Sequence, residues 1–105
     1  MGAFNIVESN NSATCGLFNY NTASSSFIAG SYLRSSVSQQ SVFGLYNTIT
    51  EIKKDDFELN KDTIRVPKDV VKPIAPLMTV GNGTDEEHRS NAFEIKYNGD
   101  IYITQ

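Results

Sequence analysis

The chain has 105 residues and a net charge of −3, with one cysteine and one histidine. A domain of this length buries only a thin core, so repetition or oligomerisation would help to stabilise it. The acidic composition argues against a nucleic-acid partner, the single cysteine excludes an intrachain disulfide and a cysteine-based zinc site, and no apolar run is long enough for membrane insertion. The first residues lack the basic and apolar segments of a signal peptide, so none is expected.

The first half of the chain, residues 1–50, contains a repeat of 14 residues. Its most regular column is glycine, at Gly2, Gly16, Gly30 and Gly44. Two residues after each glycine comes an aromatic side chain: Phe4, Phe18, Tyr32 or Tyr46. The following column is Asn5, Asn19, Leu33 and Asn47, which we interpret as a polar turn column with Leu33 as its exception. A β-branched column consists of Thr14, Ile28 and Val42.

A 14-residue period accommodates two short strands and two turns, which is typical of one coil of a β-solenoid. The glycines are predicted to mark close backbone approach or a tight bend. Ile28 and Gly30 share one face of a strand while Phe27 and Ala29 share the other, so we expect both faces to be buried. The register continues to Phe57, but Glu58 replaces the glycine and the repeat fades.

The middle of the chain, residues 51–77, has a different composition. It contains the charged cluster 53–56 and all three prolines. Proline removes a hydrogen-bond donor and forces its predecessor towards extended geometry, so no helix is expected over residues 61–77. We predict an extended connection with a solvated charged loop.

The last segment, residues 78–105, contains the clearest local pattern. A short strand over 78–80 is predicted to end at the sequence Gly81, Asn82, Gly83. Apolar residues alternate with polar residues over 93–97 and again over 101–103, and Asn98 and Gly99 lie between the two runs. This pattern predicts a β-hairpin with a two-residue type I′ turn, in which both Asn98 and Gly99 have positive φ.

Two resemblances bear on these segments. Residues 16–47 resemble the head repeats of trimeric autotransporter adhesins, whose coils also have 14 residues, and similar repeats of phage tail-fibre proteins. Residues 80–85, 89–93 and 98–99 resemble a motif of phage tail-fibre and tailspike proteins, which reads GNGT, an acidic stretch, RSNAF and a strand–NG–strand hairpin. The first resemblance implies a left-handed parallel β-roll with three chains around one axis. The second implies a trimeric β-structured element near the distal part of a fibre.

In that second family an intramolecular chaperone often follows, whereas we expect none after Gln105. We therefore expect that the chain trimerises alone, is processed, or nucleates on another virion protein.

The predicted fold is all-β: a short left-handed parallel β-roll over 1–50, an extended connection over 51–77 and a C-terminal β-hairpin over 78–105, combined in one compact module of an intertwined homotrimer. Arg89 is expected to bridge loop carbonyls or a carboxylate and so hold the loop 81–90 closed. Asn91 is expected to cap the same loop through its side chain.

No catalytic, cofactor or metal site is predicted. His88 has no second histidine and no nucleophile beside it, which favours a solvated loop residue. Cys15 shares a column with Ala29 and Phe43, which favours a buried apolar filler. The spacing of the aspartates over 55–69 fails the EF-hand pattern, and the glycines at 81 and 83 lead into a turn, unlike a phosphate-binding loop.

We therefore expect a non-enzymatic, structural or adhesive fibre module of a bacteriophage virion. It would belong to a tail fibre, baseplate or head fibre, contribute to host attachment, contact other virion proteins and be assembled in the bacterial cytoplasm. One alternative is a host-glycan-binding module in which tyrosines stack on sugars: Tyr20, Tyr32, Tyr46, Tyr97 and Tyr102. The other is a trimeric β-helix enzyme that degrades glycans. It ranks last because it needs paired carboxylates or a catalytic Tyr/Arg set along a groove, and the acidic residues cluster in loops.

Overall fold

The computed structural model describes residues 2–8, 12–23, 25–50 and 52–104, and this part of the chain is nearly all-β, as predicted. Its strands are β1 (Gly2–Ala3), β2 (Ile6–Val7), β3 (Ala13–Leu17), β4 (Tyr20–Asn21), β5 (Phe27–Ser31), β6 (Arg34–Ser35), β7 (Ser41–Leu45), β8 (Phe57–Leu59), β9 (Arg65–Pro67), β10 (Pro76–Asn82), β11 (Asn91–Lys96) and β12 (Ile101–Ile103). One turn of 3-10 helix, Lys54–Asp56, precedes β8.

Consecutive strands of the repeats belong alternately to two sheets. The main sheet has seven strands in the order β1-β3-β5-β7-β10-β11-β12, and a second sheet has the order β2-β4-β6. From β1 to β7 all neighbours in the main sheet are parallel, and the glycine column pairs in register from strand to strand. Each 14-residue step therefore adds one strand to the main sheet, while the first three steps also add one to the second sheet.

The fifth strand of the main sheet comes from far along the chain. β10 runs parallel to β7 and places Gly81 opposite Gly44. β10 is longer than the strand predicted over 78–80, and Gly81 lies within it. The repeat ends before Phe57, in agreement with its predicted fading, because β8 pairs with β9 in a separate antiparallel sheet. The strand that follows β7 in the main sheet therefore comes from the C-terminal segment.

The core between the two repeat sheets is thin and partly polar. Ile28, Leu33 and Val42 form its buried apolar cluster. Beside this cluster, buried polar side chains bond one another, as where Gln40 Nε2 donates to Thr79 Oγ1 over 3.1 Å. Because buried polar atoms are costly without partners, such pairs keep a small core compatible with folding.

The asparagine column points into this core, so its interpretation as a simple turn column needs correction. Asn19 is 1% exposed, and its side chain donates to the Gly30 carbonyl over 3.1 Å and accepts from the Leu33 amide over 3.0 Å. The side chain thereby joins one repeat to the next. Leu33 occupies the same column with an apolar side chain that is fully buried.

Within the single chain only one of the two strand faces is buried, and the burial of the other face stays a prediction. Ile28 on the inner face is fully buried, whereas Phe27 on the outer face is 41% exposed. Cys15, predicted as buried filler, is half-buried because it lies on that outer face opposite Ala29.

The connection contains no α-helix within its described residues, as predicted, and it folds back against the sheets. Val71 and Ala75 are buried, and the Ala75 carbonyl accepts the amide of Tyr97 over 2.9 Å. The Tyr97 hydroxyl donates to the Ser38 carbonyl over 2.6 Å, and burial raises the pKa of Tyr97 to about 12. The end of the hairpin is therefore anchored to both the connection and the repeats.

The predicted hairpin is present, but its turn differs from the prediction. β11 and β12 are antiparallel, with Ile95 opposite Ile101. The Lys96 amide donates to the Asp100 carbonyl over 2.9 Å, which leaves three residues in the connection. Gly99 has a φ of 93° whereas Asn98 lies outside the positive-φ region. This is the geometry of a type I turn followed by a left-handed glycine, and not of a type I′ turn.

Candidate functional site

The outer face of the main sheet is an extended surface of mostly apolar side chains. Side chains in register across strands share this face, because alternate residues of a strand point to the same side. One row consists of Phe27, Met78, Ile95 and Ile101, together with Ala13 and Ser41. The next row consists of Cys15, Ala29, Phe43, Val80, Phe93 and Ile103. The second row is apolar from β3 to β12.

Large side chains on this face remain open to solvent. Ile103 is 71% exposed, Ile101 is 59% exposed and Leu45 is 43% exposed. The rings of Phe27 and Phe43 touch edge to face with centroids 5.8 Å apart, so they form one continuous aromatic surface. Contiguous apolar surface of this kind is typical of an interface between protein chains. The outer face of the main sheet is therefore a candidate association surface.

A second surface feature is the aromatic column, which forms a ladder of stacked rings. Successive centroid distances from Phe4 to Phe18, Tyr32 and Tyr46 are 4.7, 5.1 and 4.7 Å. All four residues have positive φ, between 44° and 58°, which is uncommon for residues other than glycine. The stacking of the four rings compensates part of the backbone strain of these left-handed residues.

The predicted close approach at the glycine column has a direct measure. A Cβ atom on Gly30 would lie 2.0 Å from the Gly44 carbonyl oxygen. Equivalent atoms on Gly2, Gly16, Gly44, Gly81 and Gly83 would also lie within 3 Å of a backbone oxygen. The repeats stack at this spacing because no side chain separates them.

Arg89 connects the C-terminal loop to the repeats. Its Nη1 donates to the carbonyls of Tyr32 and Asn47, both over 3.0 Å, and its Nη2 pairs with Glu86. Its guanidinium also lies 5.6 Å from the centroid of the Tyr46 ring. The predicted kinds of partner for Arg89, namely carbonyls and a carboxylate, are present. However, the carbonyls belong to the repeats and not to the loop 81–90, since the side chain reaches back along the aromatic ladder.

The predicted role of Asn91 is wrong in a similar way. Its Oδ1 accepts the amide of Thr48 over 2.9 Å and its Nδ2 donates to the Thr48 hydroxyl over 2.6 Å. Asn91 thus fixes the end of the last repeat and not the loop 81–90. That loop contains an exposed pair in which His88 Nδ1 lies 2.7 Å from Asp85 Oδ1, and this hydrogen bond lowers the pKa of Asp85. The exposure of His88 agrees with the predicted solvated residue.

A polar cleft of about 360 Å³ opens beside Asn91. It is lined by Thr48, Arg89, Ser90, Asn91, Phe93, Glu94, Tyr102 and Thr104. Sequence reasoning gave Glu94 no role, yet Glu94 is 9% exposed and pairs with both Lys96 and Asn91. Strand alternation was the available signal, because it puts Glu94 and its partner Tyr102 together on the face opposite Phe93.

The described residues offer no group of three or more His, Cys, Asp or Glu side chains that could hold a metal ion. Among the same residues, no helix is long and apolar enough to cross a membrane. Comparisons of the chain with protein-family models, with curated proteins and with solved structures found no match.

Proposed function

We propose that the chain is a structural, non-enzymatic fibre module that associates as a parallel homotrimer. The observation that carries this proposal is the apolar outer face of the main sheet, which extends without interruption along one row from β3 to β12. Burying apolar surface contributes about 25 cal/mol per Å². Exposed side chains such as Phe27, Leu45 and Ile103 would supply that surface if the outer faces of three chains met around one axis.

The stacking of the repeats supports an elongated assembly. In this proposal the two parallel sheets form a short left-handed β-roll, and the hairpin of β11 and β12 closes one end of it. Because the repeats add along a single direction, three chains lying side by side would keep the same contacts from one coil to the next. A thin, partly polar core such as the one around Ile28 gains stability from such association.

We further propose that this module belongs to a bacteriophage virion, in a tail fibre, baseplate or head fibre. There it would contribute to host attachment beside other virion proteins, after assembly in the bacterial cytoplasm. The support is the resemblance of residues 80–85, 89–93 and 98–99 to the fibre motif. Arg89 and Asn91, two residues of that motif, bond the repeats, which is consistent with a motif that stabilises a fibre end.

Light scattering on the purified chain tests the association. We expect three times the 11.6 kDa chain mass at micromolar concentration, together with a melting midpoint that rises with concentration. Phe43→Glu on the outer face should lower the mass, since it places a charge in the interface. Ile64→Glu, at an exposed apolar position of the connection, is the matched control and should keep the wild-type mass. A wild-type mass of one chain would refute the trimer.

Glycan binding is the second candidate function, and the polar cleft is the observation that favours it. The glycan-degrading alternative has weaker support, because Glu94, the carboxylate that lines the cleft, is paired with Lys96.

A further inference from the structure

The tyrosines of the chain differ in how much of each ring can receive a ligand. The faces of Tyr32 and Tyr46 are occupied within the aromatic ladder. The Tyr20 hydroxyl donates to Glu8 and its ring lies under Arg34, while the Tyr97 hydroxyl is bonded to the Ser38 carbonyl. Tyr102 remains: it is 50% exposed and lines the polar cleft.

The cleft combines fixed groups with free hydroxyls. Its floor is held in place by bonds within the protein, since Asn91 is bonded to both Thr48 and Glu94. The hydroxyls of Ser90, Tyr102 and Thr104 make no hydrogen bond within the described part of the chain. A cleft with an aromatic ring, a rigid polar floor and unused hydroxyl groups suits a ligand that is itself rich in hydroxyls.

The charges of the cleft favour a neutral ligand. Arg89 is paired with Glu86, and its side chain is only 10% exposed. Glu94 is paired with Lys96, whose ammonium also lies 5.7 Å from the centroid of the Tyr102 ring. Since each buried charge already has an opposite partner, a charged ligand would gain little and would have to disturb these pairs.

The cleft remains accessible in the proposed trimer. Glu94 and Tyr102 are opposite each other in the hairpin and alternate with the apolar residues of the association surface. Both side chains therefore point away from that surface, so three chains packed through their outer faces would leave the side of the cleft that Glu94 and Tyr102 line open to solvent.

We infer that the cleft beside Tyr102 binds one sugar unit of a neutral saccharide. The exposed part of the Tyr102 ring contacts the apolar face of the sugar beside the Lys96 ammonium, and the hydroxyls of Ser90 and Thr104 exchange hydrogen bonds with sugar hydroxyls. This inference deepens the attachment role proposed above, because it names the class of receptor.

A nuclear magnetic resonance titration of the full chain tests it. The probes are three neutral trisaccharides, namely maltotriose, cellotriose and chitotriose, with a sialylated trisaccharide as the charged comparison. We expect saturable shifts of the Asn91 and Tyr102 amides with at least one neutral probe. Tyr102→Ala should weaken that binding about tenfold or more, a loss of one ring contact. Tyr102→Phe should weaken it less, and Tyr32→Phe, which removes a hydroxyl from the ladder, should bind as wild type.

Three results would overturn the inference: no saturable shift with any neutral probe, binding restricted to the sialylated probe, or wild-type affinity in Tyr102→Ala. The mass measured by light scattering separates this inference from the proposed assembly. If a single chain binds saccharide, the site is supported and the proposed trimer is refuted. If the chain is a trimer that binds none of the neutral probes, the trimer is supported and the site is refuted.

Discussion

The repeats and the hairpin both depend on glycine, but for different physical reasons. Gly30 and Gly99 both have positive φ. A Cβ atom on Gly30 would lie 2.0 Å from the Gly44 carbonyl oxygen, whereas a Cβ atom on Gly99 would meet nothing within 4 Å. In the repeats, glycine is required by the backbone of the next repeat. In the hairpin, it is required only by the conformation of its own residue.

The same substitution at the two glycines should therefore have unequal effects, and Gly30→Ala should have the largest. The methyl group must displace the neighbouring strand as well as accept an unfavourable φ, so we expect a loss of more than about 3 kcal/mol in the free energy of unfolding. Urea denaturation of the two variants beside the wild type measures it. A loss at Gly30 no larger than that at Gly99 would contradict the account of close backbone approach.

Arg89→Lys tests the link between the two regions and should have an intermediate effect. Lysine keeps the charge but cannot donate through a guanidinium fork to the carbonyls of Tyr32 and Asn47, so we expect a loss of about 1.5–3 kcal/mol. Amide exchange in the loop 82–90 should become faster. Arg65→Lys is the control, because Arg65 lies over the Phe57 ring in the connection and should tolerate the change. Equal stability of the two variants would show that Arg89 does not anchor the loop.

Gly99→Ala should have the smallest effect of the three. The cost is the left-handed conformation alone, about 1–2 kcal/mol, because the turn faces open space. The pairing of Ile95 with Ile101 should persist, and nuclear Overhauser contacts between β11 and β12 would show it. Loss of the hairpin in this variant would mean that the turn controls the register more strongly than the alternation of side chains does.

Local patterns explain what could be predicted from the sequence. The 14-residue spacing of the glycines predicted a repeat of short strands, and each pairing among β1, β3, β5 and β7 joins residues one repeat apart. The alternation around Asn98 and Gly99 predicted the hairpin, although the turn gained a residue. Such patterns are informative because the partners are near in sequence and every step repeats the same geometry.

The place of β10 could have been predicted from a weaker signal. Thr79, Val80 and Gly81 repeat the order of a β-branched residue, a spacer and glycine found at Val42, Phe43 and Gly44. The fixed spacing hid this match, because the connection interrupts it. Only the tertiary structure shows that the connection returns the chain to the main sheet, where β10 lies beside β7.

The sequence by itself determined the all-β class, the repeat and the hairpin, because strand alternation and glycine spacing act over short distances. The tertiary structure decided which polar residues became buried and which contacts join distant segments. Asn19 points inward because the next repeat supplies its hydrogen-bond partners. Arg89 and Asn91 bond the repeats because β10, which precedes them in the chain, pairs with β7. The same pairing brings Thr48 next to the hairpin and so forms the cleft beside Tyr102.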